Sequence, residues 1–308
     1  MRKIAILFVV LLLFIAGCNK QVETRTTRPF VSGTNAVEFN FVEGSPPPEV
    51  YDGGNFPFEV ALILENRGEY DIPAEKIYVD LAGFYPADFN SPVISKHPSD
   101  NLDKAYIDSE GNTIPGTVTY LTFNNFSFKG SLKANNEYKV RANICYVYGT
   151  YAQADLCVLD DVTKPNDKVC KVTEKKGLDV SSGPVQVENF EESVAGTDKV
   201  TFSFEITQRG SGLVSLKESR CSDGTIDKNK IWVEVDSGLP GLSCSGISDG
   251  SATSGYTTLY GGRRMIRCTQ DTSAGEIQGK DFTKKVNIKL VYDYKEHKER
   301  NILVKHTT

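Results

Sequence analysis

Seven cysteines and three histidines are the side chains of this 308-residue chain best suited to thiol, metal or acid–base chemistry. Cys18 stands apart at the end of an apolar run. The other six, Cys145, Cys157, Cys170, Cys221, Cys244 and Cys268, form an even set. A zinc site would need close spacing such as C-x₂-C, and no two of them have it, so no metal ligands are expected. In an exported chain an even set reads as disulfides. A turn expected at Gly149–Tyr151 would place Cys145 opposite Cys157, which predicts a cross-strand bridge between them. Cys244 and Cys268 flank a Gly/Ser-rich excursion and are expected to pair, leaving Cys170 for Cys221. The rival set joins Cys157 to Cys170 and Cys145 to Cys221.

The histidines are scattered. His97 falls in a loop, His297 in a charged KEHKER segment read as a hairpin turn, and His306 in the C-terminal tail, all three as surface residues. No H-E-x-x-H or P-loop sequence occurs, so neither catalytic residues nor a cofactor are predicted and the chain is read as non-enzymatic. The acidic stretches Asp108–Gly111 and Asp223–Asp227 complete no EF-hand loop and read as β-turns. Trp232, the one tryptophan, is expected to pack against the core or a loop. Gly261-Gly262-Arg263-Arg264 reads as a tight turn carrying two cations, and Asn125-Phe126-Ser127 is a candidate glycosylation sequon at Asn125.

The elements that must position these residues begin with an export address. Arg2 and Lys3 precede an unbroken apolar run from Ile4 to Ala16. That run is shorter than the roughly 20 residues a membrane span needs, and it suits the core of a signal peptide. It ends in Ile15-Ala16-Gly17-Cys18, which resembles the lipobox of prokaryotic lipoproteins. The resemblance implies cleavage before Cys18, lipid on its sulfur, and an extracytoplasmic protein held on the outer face of the cell membrane. Residues 1–17 are thus expected to be the signal peptide. Losing Arg2 and Lys3 leaves 33 basic against 40 acidic residues, an acidic balance that argues against a nucleic-acid partner. The expected partners are the membrane, through the lipid on Cys18, and a protein or glycan at the cell surface.

Residues 18–35 read as a polar, Thr-rich tether with a reach of roughly 50 Å at about 3.3 Å per residue. Beyond it, runs of alternating apolar residues bounded by Gly, Pro and Asn predict strands, while Phe84–Asn112 reads as loops with a short helix. The chain also repeats itself. Phe58–Gly68 (FEVALILENRG) matches Val200–Gly210 (VTFSFEITQRG), Ile77–Gly83 matches Ile231–Gly238, and Asn143–Tyr148 (NICYVY) matches Asn287–Tyr292 (NIKLVY), in the same order. Each half has about seven short strands, the number of an immunoglobulin-like sandwich. The expected fold is all-β: two tandem immunoglobulin-like β-sandwich domains, at 36–160 and 184–308, joined by a breaker-rich linker at 161–183. The strand–turn–strand pattern of ILENRG and IYVDLAG resembles CARDB-type and related immunoglobulin-like repeats of archaeal and bacterial surface proteins, which implies a binding or spacer module; the alternatives are an accessory subunit docked on an envelope membrane complex and a hydrolytic surface enzyme with its site in the Phe84–Asn112 loops.

Overall fold

A computed structural model of the chain describes residues 28–90, 93–161, 168–273 and 279–307. Cys18 and the expected signal peptide lie outside these. Among the described residues the protein is all-β, with eighteen strands and one short 3₁₀ turn at Ala74–Lys76. The first half contributes β1 (Val37–Phe41), β2 (Glu49–Tyr51), β3 (Phe58–Asn66), β4 (Ile77–Ala82), β5 (Ser95–Lys96), β6 (Tyr106–Ile107), β7 (Thr113–Ile114), β8 (Val118–Phe126) and β9 (Asn136–Val158). The second contributes β10 (Leu178–Val180), β11 (Val185–Val194), β12 (Lys199–Gln208), β13 (Leu213–Ser215), β14 (Lys230–Asp236), β15 (Leu242–Ser245), β16 (Ser254–Thr258), β17 (Arg263–Asp271) and β18 (Phe282–Lys305). The stretch Phe84–Asn112, expected to hold a short helix, carries only the two-residue strands β5 and β6 among its described residues.

The strands form sandwich-type layers. A three-stranded sheet, β1-β3-β8, and a four-stranded sheet, β11-β12-β17-β15, turn their apolar faces to a nine-stranded sheet ordered β16-β14-β18-β9-β4-β5 along its main path. The pattern that makes β3 and β12 strands is the one that buries them. Val60, Leu62 and Leu64 point inward in β3, and Phe202, Phe204 and Ile206 do so in β12. Both halves feed one continuous apolar core. In the first half, Phe58 packs on Phe126 and edge-on to Phe89, which stands edge-on to Tyr138 of β9.

The two halves are joined differently from two beads on a linker. The expected turn at Gly149–Tyr151 does not exist, because β9 runs unbroken through it for 23 residues. Nor does the expected hairpin at KEHKER, where β18 runs for 24. The two long strands pair antiparallel along their whole length, with Tyr148 opposite Tyr292. These tyrosines hold equivalent places in the repeated sequence, so a local two-fold axis passes through their pair. One end of each long strand belongs to its own half and the other end extends the partner half's sheet. Thus β4 pairs with the start of β9, and β14 with the start of β18. Both misreadings have physical causes. Gly149 is a glycine because the Tyr70 ring fills the space a Cβ would occupy, so it marks a close approach inside a strand. KEHKER is charged because it is a solvated strand segment, whose Glu299 pairs with Lys139 at 2.9 Å and with Arg141.

Candidate binding surfaces around the seam

Four tyrosines, Tyr146, Tyr148, Tyr292 and Tyr294, lie buried side by side along the middle of the ribbon, with ring centroids 6.0–6.5 Å apart. Three of them tie down chain segments through their hydroxyls. Tyr148 accepts the Glu69 N–H at 3.0 Å and donates to the Ser182 carbonyl at 2.7 Å. Tyr292 accepts from Val185 N–H and meets the Thr150 hydroxyl. Tyr294 accepts from Gly212 N–H at 2.7 Å. Burial raises the hydroxyl pKa of Tyr148 and Tyr292 above the usual phenol range.

This packing explains the repeated Arg-Gly. Beside Gly68 the Tyr148 hydroxyl, and beside Gly210 the Tyr294 hydroxyl, occupy the volume that a Cβ would need. The glycines therefore let the turns after β3 and β12 settle onto the ribbon, and the preceding arginines, Arg67 and Arg209, rise beside a groove of about 440 Å³. Its floor is Tyr294, Glu296 and Lys298 of β18. Arg67 is held by Glu38 at 2.9 Å and Glu65 at 3.0 Å, and Arg209 by both oxygens of Glu188. Burial pushes the Glu296 carboxyl upward, against the opposing influence of Lys298.

The N-terminal segment is part of this seam. The Glu69 carboxylate accepts the N–H groups of Val31 at 2.7 Å, Ser32 at 3.0 Å and Ser182 at 2.6 Å. The Ser182 hydroxyl donates to the Asn35 carbonyl. Part of the expected tether, from Val31 to Asn35, is therefore built into the body at the junction of the two halves, because one buried carboxylate gathers three otherwise unpaired amides.

The disulfides are Cys145–Cys221, Cys157–Cys170 and Cys244–Cys268. The last agrees with the sequence reading. The first two correct it in favour of the rival set, since without a turn at Gly149–Tyr151 the residues Cys145 and Cys157 stand twelve apart along one extended strand. Cys145–Cys221 staples a loop of the second half, residues 216–224, across a strand of the first. In that loop Glu218, Arg220 and Cys221 all adopt positive φ, between 54° and 62°. Asp293 holds the loop in shape by accepting from Glu218 N–H, Cys221 N–H and the Ser219 hydroxyl. Burial pushes the Asp293 carboxyl upward. A small cavity of about 220 Å³ beside it is lined by Lys76, Tyr78, Cys145, Glu218 and Arg220. Among the described residues Asp293 with the sulfurs of Cys145 and Cys221 is the one cluster with metal-ligand geometry, and its sulfurs are bonded to each other.

The remaining sequence candidates fall as follows. Trp232 stands edge-on to Tyr256, with the Lys217 ammonium 3.9 Å from its ring centre. His97 meets Tyr78 edge-on, and His297 lies mid-strand opposite Asn143. His306 corrects the surface-tail reading. Its Nδ1 is 2.9 Å from the buried Asp52, which also accepts from Thr307 and Leu132 and so clamps the C-terminal strand. The hydrogen bonds hold the Asp52 carboxyl well below the usual carboxylate range. Asp108 closes its own turn on Glu110 N–H and Asn112 N–H. Gly261 and Gly262 supply the two positive φ angles of a tight turn bridged by Tyr260 and Arg263. Asn125 is exposed near the end of β8. G-x-S-x-G, expected to be absent, is spelled by Gly246–Gly250. It forms a loop between β15 and β16, and Ser248 Oγ donates to its neighbour Asp249, so it lacks the strand-to-helix elbow that gives the motif its chemistry.

No protein-family model matches this chain, and no curated protein is similar to it.

Proposed function

We propose that the protein is a non-enzymatic lipoprotein, anchored through Cys18 to the outer face of the cell membrane, that presents two immunoglobulin-like units as a binding module for adhesion or envelope assembly. The observation that carries this reading is the Ile15-Ala16-Gly17-Cys18 box at the end of the apolar run that starts at Ile4. The pairing of all six remaining cysteines into disulfides supports it, because such bonds persist in oxidising compartments. The all-β sandwich-type body supports the binding role. Its two halves share a sheet, so surface features on one are held in fixed relation to those on the other.

The seam adds a geometric consequence. Val31 and Ser32 bind Glu69 at the junction of the two halves. A lipid on Cys18 would hold the body at this seam, through the twelve residues 19–30 with a reach of about 40 Å. Both ends and much of the long sheet would then lie within reach of ligands close to the membrane. The test is fractionation of cells expressing the full chain. The expected result is membrane association and digestion by protease added outside intact cells. A Cys18→Ala chain should lose membrane association or remain uncleaved. A soluble cytoplasmic product that resists external protease refutes the reading.

A further inference from the structure

The outer face of the nine-stranded sheet, turned away from the core, differs between the two halves although both descend from one repeated sequence. On the β4 half the polar groups are mutually engaged. The Asn143 amide donates to Asp80 at 2.7 Å, Glu299 is shared by Lys139 and Arg141, Lys76 pairs with Glu218 at 2.8 Å, and the Arg220 guanidinium covers Tyr78. On the β14 half fewer of them are engaged, and Asp236 accepts the Gly238 N–H at 2.7 Å on one oxygen, which leaves the other. Registers across β14, β18 and β9 align Glu234 with Lys289 and Tyr151 in one row, and Asp236 with Asn287 and Gln153 in the next. Glu234 and Lys289 stand opposite each other, yet among the described residues neither side chain makes an ion pair or hydrogen bond. The Lys289 ammonium lies 5.8 Å over the Tyr151 ring instead. The Gln153 amide donates to Asn287 Oδ1 at 2.9 Å, which leaves Gln153 Oε1 and Asn287 Nδ2 unused. Phe30 rises beside these rows, and the concavity between them measures about 350 Å³. Small-molecule sites run from about 300 to 1,000 Å³.

These groups specify a ligand. The Phe30 ring and the Tyr151 ring, which is braced by Tyr70 at 6.2 Å, lie beside both donors (Lys289, Asn287) and acceptors (Glu234, the second oxygen of Asp236, Gln153) on one face of the sheet, an arrangement that suits a molecule with an apolar face and hydroxyls round its edge. A hexopyranose has that pattern. Two adjacent carboxylates against one ammonium exclude polyanionic chains by charge. We infer that the open half of this face, built on Tyr151, Glu234, Asp236, Lys289, Asn287 and Gln153, is a binding site for a neutral hexose polysaccharide. The inference deepens the surface-module reading above by naming its ligand class, and it rests on that reading.

Trp232 supplies the test. It is the one tryptophan and lies on β14 two residues from Glu234, on the same face. Titration of the full chain in detergent with cellohexaose, chitohexaose and mannohexaose, followed by tryptophan emission and calorimetry, should show at least one binding with Kd below about 1 mM. Hexagalacturonate should bind more weakly. Glu234→Gln and Lys289→Ala change exposed or half-exposed side chains and should each weaken binding about tenfold through the loss of a charged hydrogen bond. Asp80→Asn, on the closed half, should leave it unchanged. The inference is overturned if none of the three neutral hexamers binds below that limit, if hexagalacturonate binds best, or if the Glu234 and Lys289 variants bind as the parent does. Failure here leaves the lipid-anchor reading standing, because that reading is decided separately by the state of Cys18.

Discussion

Replacing Tyr148 by Phe removes one oxygen atom at the local two-fold axis and leaves the apolar packing in place. The hydroxyl accepts from Glu69 N–H at 3.0 Å and donates to the Ser182 carbonyl at 2.7 Å. Tyr148 itself is fully buried. Each backbone group left without a partner costs about 1–3 kcal/mol, and adjustment of the loop recovers part of it, so the expected loss is about 2–4 kcal/mol. With a urea slope of about 3 kcal/mol per molar, the midpoint should fall by about 1 M. The informative part is where the loss is seen. Trp232 lies in the second half and Tyr148 in the first, and they belong to one sheet through β18 and β9. Trp232 emission and far-ultraviolet circular dichroism should therefore shift together, in one transition. A Trp232 transition that stays at the parent midpoint while the circular dichroism moves would refute the argument that the halves fold as one unit.

Further outcomes follow from the same geometry. Glu192 is buried against Lys176 at 3.1 Å and accepts from Cys157 N–H, yet burial outweighs both and pushes its carboxyl up to about 7. A folded value above the unfolded one, about 4.3, means the native state holds the proton more tightly, so stability should fall as pH rises from about 5 to 7. Glu192→Gln should flatten that part of the curve in urea titrations. Asp52 has the opposite sign. Its depressed carboxyl contributes stability above the unfolded value near pH 4, lost as pH falls further, and Asp52→Asn should speed amide exchange at Leu132 and Thr307. A non-reducing peptide map should recover the Cys145–Cys221, Cys157–Cys170 and Cys244–Cys268 pairs. Removing the first, which closes 76 residues, should cost about 4 kcal/mol, against about 3 for the second, which closes 13. Equal losses would count against an entropic origin.

The all-β class was legible because Phe58–Leu64 and Val200–Ile206 carry a two-residue apolar period, and that period is what buries them. The repeat was legible for the same reason. The way the halves join was not. A glycine in a strand and a glycine in a turn look alike in a sequence, and the ring that decides the case for Gly149 belongs to Tyr70, far away in the chain. Charged strands such as Lys295–Arg300 likewise resemble turns when only composition is read. The disulfide error followed directly, since pairing Cys145 with Cys157 depended on that turn. The open sugar-sized surface was hidden too. Glu234, Lys289 and Tyr151 are distant in sequence, and only the register of β14, β18 and β9 brings them into one row.

The anchored address is the premise on which the functional reading depends, and the N-terminus of the mature protein tests it most directly. Mass spectrometry of the N-terminal peptide from membrane-purified protein should show a chain beginning at Cys18, with the mass of a thioether-linked diacylglycerol on that residue. A chain that begins elsewhere, or an unmodified Cys18 thiol, would contradict the account.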